Sequence, residues 1–523
     1  MVSPSALQTM EAARIMTFFI SKTRQLLMLG IVLLSAWCTP ALAAPTIGVV
    51  QGSLERIGQH VEKIVLSNGL RVIVFHRPQA PVFAGQVWVR VGGVDEIPGS
   101  TGISHMLEHM AFKGTNVVGT TDSKREAELL ERLEKRIKEL ESPALSSKDE
   151  QVHQIQTELS KLWEEDEFTH LYQLRGADGL NAGTTTDYTV YMVKMPKTAF
   201  EFWCWMESER LVNPVFRQFY KEREVVLEER RTRTDDSPGG KMYEVLLATA
   251  YLAHPSRLPV IGWRSDLERL TASATRAFYD TYYRPDNMVI ALAGDIDLEQ
   301  ARPMLEKYFG RIPKSDKPLP EVTTVEPDQL GEREAVVEFE SNPMFMMAYH
   351  KPVFPHPDDA PFTILHELLS SGRSSLLVRE FVQRRKIARG VYTSEGPSER
   401  FPTLFYVGAS PVDGVTSAKL RDELQQAIDR VAEDGFREED IAGAKRRLRV
   451  SFLSNLTSNY GMARLLARSE LLWGDWKILL KFYDDLEKVT NEDIKRVLKE
   501  YITPSNRTFV EVVDKRSEGE NKL

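Results

Sequence analysis

The sequence predicts an α+β chain made of two similar halves, each an antiparallel sheet packed with helices. Three observations carry that prediction. The chain has 523 residues, more than one core usually holds, so two or more domains are expected. From residue 62, strand-like runs lead into helical stretches and back into strands, the element order of an α+β domain. After a stretch dense in Pro, Lys, Asp and Thr at 312–329, that order restarts. The expected layout is an N-terminal domain at 44–311, a linker at 312–329, a C-terminal domain at 330–515 and a tail at 516–523.

Composition bounds the function. The chain is 42% hydrophobic and 27% charged, ordinary for a globular protein, and its net charge is −8. No long basic stripe is present, so nucleic acid is not an expected partner. Residues 1–43 read as an export signal. Lys22 and Arg24 precede an apolar run from Leu26 to Trp37, and Ala41-Leu42-Ala43 supplies a small-residue cleavage site. Cleavage would leave a chain starting at Ala44, exported to a periplasm or secreted. Because the charged segment sits far in, Met10 and Met16 are alternative starts. The apolar run is shorter than the ~20 residues a membrane span needs, and no later stretch is apolar enough to cross a membrane. Only two cysteines occur. Cys38 lies in the signal, so Cys204 would be alone in the mature chain and no intrachain disulfide is expected.

Taken in order, Glu62 to Phe75 predicts a β-hairpin, because Asn68-Gly69 is a strong turn signal between alternating apolar runs. A third strand is expected at Val82 to Val91, ended by Gly92-Gly93. Residues 121–163 carry apolar residues three and four apart: Leu130, Leu133, Ile137 and Leu140, then Val152, Ile155, Leu159 and Leu162 after the break at Ser142-Pro143-Ala144. This predicts a helical hairpin with facing apolar seams. Leu180 to Lys194 is rich in Thr, Tyr and Val and reads as a strand. Phe200 to Leu211 has helical spacing and places Cys204 in the core. Asn287 to Asp297 reads as a buried strand ending in a helix cap, with a helix over Leu298 to Phe309. Beyond the linker, strands are expected near 335–339 and 344–350, and helices around 362–369 and after Ser375.

The chemistry gathers in Gly102 to Thr115, where His105, Glu108 and His109 form an H-x-x-E-H arrangement. On a helix the two histidines lie four apart on one face, close enough to grip one metal ion. Glu108 stands beside that metal, where a base would take a proton from water. H-x-x-E-H is the inverzincin order. The alternative, a polar helix face, has to satisfy two of the chain's ten histidines among Ile103, Met106, Leu107, Met110 and Phe112, and a metal would do so. A metal held by two histidines needs a third protein ligand. The helix-like stretch Glu222 to Arg231 offers Glu222, Glu224, Glu228 and Glu229, with Glu222 and Glu229 seven apart on one face. Spacing alone leaves these four open.

With these residues quoted, the chain resembles the pitrilysin/insulinase metallopeptidases, of the short two-domain bacterial processing type. Val91-Gly92-Gly93, Gly102 to Thr115, Asn181-Ala182, Glu222 to Glu229 and Ala293-Gly294-Asp295 carry the likeness over about 60–515. The resemblance implies one Zn²⁺ per chain held by His105, His109 and Glu229, with Glu108 as catalytic base and Glu222 as supporting glutamate. It implies an edge strand at Asn181 and Ala182 that takes an extended peptide, and an Arg385–Tyr392 pair in the second domain that helps bind substrate. It implies that two chains, homodimeric or paired with a related chain, close like a clam shell around a chamber. The distance from His109 to Glu229 exceeds the family's usual spacing by about one helical hairpin, so an insertion at about 121–174 outside the core is expected. The expected activity is zinc-dependent endopeptidase cleavage of short or unfolded peptides. The rivals are a non-catalytic chamber or scaffold protein and a peptidase active only beside a separately encoded partner.

Overall fold

The structure, a computed structural model, describes residues 58–515. The expected export signal, its Cys38 and the tail at 516–523 lie outside the described residues.

The Asn68-Gly69 turn joins β1 (Val61–Val65) to β2 (Arg71–His76) in an antiparallel pair. Gly69 takes φ +93°, which a side chain would resist. Asn68 is buried, and its Nδ2 donates to the Phe309 and Ile312 carbonyls at 2.8 and 3.1 Å, tying the turn to the far end of the first half. Then follow β3 (Val82–Val89), α1 (Ile103–Met110), α2 (Ser123–Glu139) and α3 (Glu150–Ser160). Next come β4 (Asp178–Thr184), β5 (Thr189–Pro196), α4 (Phe200–Val212), α5 (Phe219–Arg230) and α6 (Pro238–Ala250). β6 (Met288–Gly294) and α7 (Leu298–Phe309) close the first half.

The second half comprises β7 (Arg333–Phe339), β8 (Met344–Lys351), α8 (Asp359–Leu369), β9 (Ala388–Gly396), β10 (Thr403–Pro411), α9 (Asn459–Trp473) and β11 (Arg507–Asp514), with further helices between β10 and α9 and between α9 and β11. The segment between α7 and β7 carries no helix or strand. Glu326 fixes it by accepting from the amides of Leu252, Ala253 and His254 at 2.7–2.9 Å.

The strands form two sheets, ordered β1-β2-β6-β3-β5-β4 and β7-β11-β8-β10-β9. Setting β1 aside, the five strands of each half stand in the same spatial order. In chain order α1 falls between the second and third of them, β3 and β4, and α8 likewise between β8 and β9. This is the duplication the echoing sequence suggests. The sheets are not wholly antiparallel as expected: β2 pairs with β6, and β7 with β11, in parallel. In each half the last strand returns beside the first after a long crossover, the connection parallel neighbours require.

Two further expectations are corrected. Residues 180–194 form a hairpin, β4–β5, rather than one strand. Thr185 Oγ1 accepts from the amides of Asp187 and Tyr188, both at 3.1 Å, and so makes a turn without Gly or Pro. The helical hairpin does not stand outside the core. Leu129, Leu133 and Ile137 of α2 and Val152, Ile155 and Leu159 of α3 are buried with Ile103, Met106 and Met110 of α1 and Phe219, Tyr220 and Val226 of α5. The two helices are capped by Asp122 and Asp149, which accept from the amides three residues on.

The halves exchange helices. α6, from the first half, packs Met242, Leu246, Leu247 and Ala250 on Val337, Met346, Ala348 and Val510 of the second sheet. α9, from the second half, packs Met462, Ala463, Leu466 and Ala467 on Ile73, Ala84, Trp88, Val289 and Ala291 of the first. The other face of the first sheet carries α4 and α7 with Trp203, Cys204, Leu305 and Phe309. Cys204 is fully buried, and burial raises its thiol pKa well above the usual range.

Candidate metal centre

α1 begins where Gly102 turns the chain at φ +84°, pressed so closely on Ile261 and Gly262 that a Cβ would lie 2.7 Å from the Ile261 carbonyl oxygen. The buried Glu96 carboxylate accepts from the amides of Gly102 and Ser104 at 2.7 and 2.8 Å, supplying partners for the helix's first turn. Burial pushes Glu96 up to about 8. One helical turn then sets His105 and His109 side by side, with ring centroids 4.7 Å apart and planes near perpendicular.

α5 crosses behind. Glu224 and Glu228 are exposed, and Glu228 pairs with Arg231, while Glu222 and Glu229 turn inward. Glu229 Oε2 lies 3.7 Å from His105 Nε2 and 3.4 Å from His109 Nε2. His105, His109 and Glu229 form the only group of three metal-ligating side chains among the described residues, each offering one ligand atom within 4.8 Å of the others. A tetrahedral zinc ion with ligands at ~2.0–2.1 Å separates them by ~3.3–3.5 Å, which the two separations from Glu229 approach. The donor set fits zinc, being two imidazoles and a carboxylate. His105 Nδ1 is buried and has no hydrogen-bond partner in the protein.

Around these atoms each partner fixes one orientation. His109 Nδ1 lies 2.9 Å from Glu222 Oε1, which leaves Nε2 toward Glu229. Lys113 Nζ holds the other Glu222 oxygen at 2.6 Å, and Arg233 holds Glu229 Oε1 at 2.6 Å. Burial and the neighbouring His109 lower His105 to about 4, so its imidazole is neutral, as a ligand must be. Burial alone would lower His109 too, but the hydrogen bonds and charges of Glu222 and Glu229 outweigh it and raise His109 to about 9. The hydrogen bond from His109 lowers Glu229. Burial raises Glu222, but His109 and Lys113 prevail and hold it below the usual carboxylate range. Glu108 is shifted upward by burial, against the hydrogen bond Thr184 Oγ1 donates to its Oε2 at 2.6 Å.

The loop after α1 is gripped by Arg217, which is buried. It donates to the carbonyls of Lys113, Val118 and Thr115 and forks onto Glu126 of α2 at 2.6 and 2.7 Å. Sequence reasoning missed Thr184, Lys113, Arg233 and Arg217. Only Arg233 had a local signal, its i,i+4 spacing from Glu229.

The remaining predicted site residues lie elsewhere. Asn181 and Ala182 sit on β4, the outer strand of the first sheet, which ends at Thr184 beside Glu108. Asn181 Oδ1 takes the Ala182 amide at 2.9 Å. Arg385 forks onto Glu423 at 2.7 and 2.8 Å, and Tyr392 projects from β9, the outer strand of the second sheet, against Gly408. Within the chain these contacts all belong to the second half.

A family model described as insulinase, peptidase family M16, matches residues 71–162, and one described as peptidase M16 inactive domain matches residues 269–448. The zinc protease PqqE of Helicobacter pylori is 27% identical over 472 residues, spanning 89% of this chain and 95% of that protein. The crystal structure of a protease from Helicobacter pylori matches with a TM-score of 0.75 at 25% identity, over 87% of this chain and 99% of that one. The periplasmic protease PqqL from Escherichia coli shares the fold, with a TM-score of 0.65 at 17% identity over 89% of this chain and 49% of that one.

Proposed function

The chain belongs to the insulinase-type M16 peptidase family, and from that premise we propose that it is a zinc-dependent endopeptidase acting on short or unfolded peptides. The observation that carries this reading is the meeting of His105, His109 and Glu229 beside a half-buried Glu108. His105, His109 and Glu229 would hold one zinc ion. Such an ion supplies Lewis acidity to the scissile carbonyl and to water.

The chain's own residues do the rest. Thr184 fixes Glu108 Oε2, leaving Oε1 to take a proton from the attacking water and return it to the leaving amine. Burial strengthens that base by raising its pKa toward the working pH. Glu222 orients His109 as a positioning residue. The outer edge of β4, with Asn181 and Ala182, takes the peptide as an added strand through main-chain hydrogen bonds, so recognition tolerates many side chains.

A second reading is favoured by one observation. Arg385 and Tyr392 keep to the second half, and Tyr392 is 44% exposed. If they bind substrate, they do so across an interface with a second chain, either another copy or a related protein. In the latter case the chain is active only beside that partner. The export signal expected from the sequence supports a periplasmic or secreted address. Among the described residues no helix is long and apolar enough to cross a membrane.

The test is cleavage of a quenched unstructured peptide by the mature chain, with chelator, with zinc restored, and with Glu108→Gln. Chelator-sensitive cleavage that returns with zinc, together with a zinc-bound but inert E108Q, is the expected result. Cleavage by E108Q at the wild-type rate would remove Glu108 as the base. An inert wild type with zinc bound would favour the obligate partner.

A further inference from the structure

The loop between β9 and β10 leaves the second half and lodges against two turns of the first. Ser398 Oγ donates to Asp187 Oδ1 at 2.7 Å, and the Glu399 amide donates to Asp187 Oδ2. The Arg400 guanidinium reaches further. Its Nη1 donates to Asp95 at 3.0 and 3.3 Å and to the Asp187 carbonyl at 3.3 Å, and both ends of the Arg400–Asp95 pair are buried, with side-chain exposures of 9% and 3%. Ser398 Oγ also accepts from the amides of Arg400 and Phe401, so the loop is folded around its own anchor.

The two turns are the ones that set the metal centre. Asp95 precedes Glu96, whose carboxylate caps the first turn of α1 at Gly102 and Ser104, next to His105. Asp187 lies in the turn three residues beyond Thr184, which holds Glu108. The turns also bond each other, Gly93 and Val94 donating to the carbonyls of Thr185 and Thr186 at 3.1 and 2.9 Å. A Cβ on Gly92 would lie 2.3 Å from the Thr185 carbonyl oxygen, so they pack without slack. One guanidinium therefore joins the two turns that carry the supports of the first histidine and the base, Glu96 and Thr184, while contacting neither His105 nor Glu108.

We propose that Arg400 is a positioning residue for the metal centre, through which the half lacking H-x-x-E-H sets the alignment of His105 and Glu108. The inference rests on the peptidase reading above. A buried pair that merely joined two halves would contribute to stability alone. A pair that aligns reacting groups also governs turnover, since displacements near 1 Å cost about a hundredfold.

The experiment compares wild type, Arg400→Met, Arg400→Lys and Ser398→Ala, measured well below their melting temperatures. It reads kcat and KM on an unstructured quenched peptide, zinc affinity by chelator competition, and hydrogen exchange of the Gly102–His105 amides. R400M is expected to lower kcat about ten- to a hundredfold with KM within about twofold. It should also weaken zinc binding several-fold and speed exchange at the start of α1. R400K, which keeps the charge beside Asp95, should recover part of each loss. Should R400M fail to fold, S398A gives the same readings with a smaller expected fall in kcat, about three- to tenfold. Folded R400M with wild-type kcat, zinc affinity and exchange, or S398A with all three at wild-type values where R400M does not fold, would overturn the proposal and leave the loop as a joint between halves. If the wild type alone proves inert, the reading of a self-sufficient peptidase fails separately. Zinc affinity and exchange then still decide whether Arg400 aligns α1.

Discussion

Thr184 Oγ1 donates a 2.6 Å hydrogen bond to Glu108 Oε2, so the last residue of the outer strand holds the acid of the helix. Thr184→Val keeps the shape and removes the donor. The expected result is a fall in kcat of about tenfold at unchanged zinc content, because Glu108 loses its fixed orientation. Thr184→Ser, which keeps the hydroxyl, should stay close to wild type. Steady-state kinetics with metal analysis on both variants would check this.

Zinc affinity should depend steeply on pH. In the metal-free protein the carboxylates of Glu222 and Glu229 overcome burial and raise His109 to about 9. Zinc must displace that proton, so the apparent Kd should fall about tenfold per pH unit from pH 7 to about 9, and then level. An unperturbed imidazole would level near pH ~6.5. Calorimetry in two buffers of different ionisation heat counts the released proton, and a flat Kd above pH 7 would contradict the raised value.

Glu222→Gln should weaken zinc binding about 10–100-fold while leaving the three ligands in place. The amide orients His109 less firmly than the carboxylate and leaves Lys113 without its ion pair. Competition with a chromogenic chelator measures the change. Circular dichroism should show the fold unaltered.

Glu126→Ala removes the carboxylate that Arg217 forks onto in a buried site. Leaving that guanidinium buried and uncompensated is expected to cost about 3–5 kcal/mol of stability, read from urea unfolding. Because Arg217 also ties the loop after α1, the same variant should bind zinc more weakly.

The sequence disclosed the site where one helical period sufficed. His105 and His109 share a face because they are four apart, and the structure sets their rings 4.7 Å apart. It was weaker on α5. Seven-residue spacing aligned Glu222 with Glu229, but this helix buries Arg223 and Arg230 as well, so no apolar stripe marked its inner face. The family resemblance pointed to Glu229, and the inward turn of buried Glu222 and half-buried Glu229, beside exposed Glu224 and Glu228, gives that choice a physical basis.

What stayed hidden depends on the path of the chain. Thr184 meets Glu108 across 76 residues, and Arg400 meets Asp95 across 305, separations at which periodicity carries no information. The turn at Thr185–Tyr188 escaped because hydrogen bonds donated by backbone amides to the Thr185 hydroxyl replace the Gly or Pro that usually marks such a bend. The hairpin's rhythm was legible, but its seams also serve α1 and α5, and local pattern does not name the surface a seam will meet.

The exchange of α6 and α9 between the halves bears on how the chain can be cut. A fragment ending at 311 would lack the helix that covers Ile73, Trp88 and Val289, and one starting at 330 would lack the helix over Met346 and Val510. Expressed alone, each should aggregate through its bare sheet face. Expressed together, they should find each other and reassemble, because each carries the lid the other is missing.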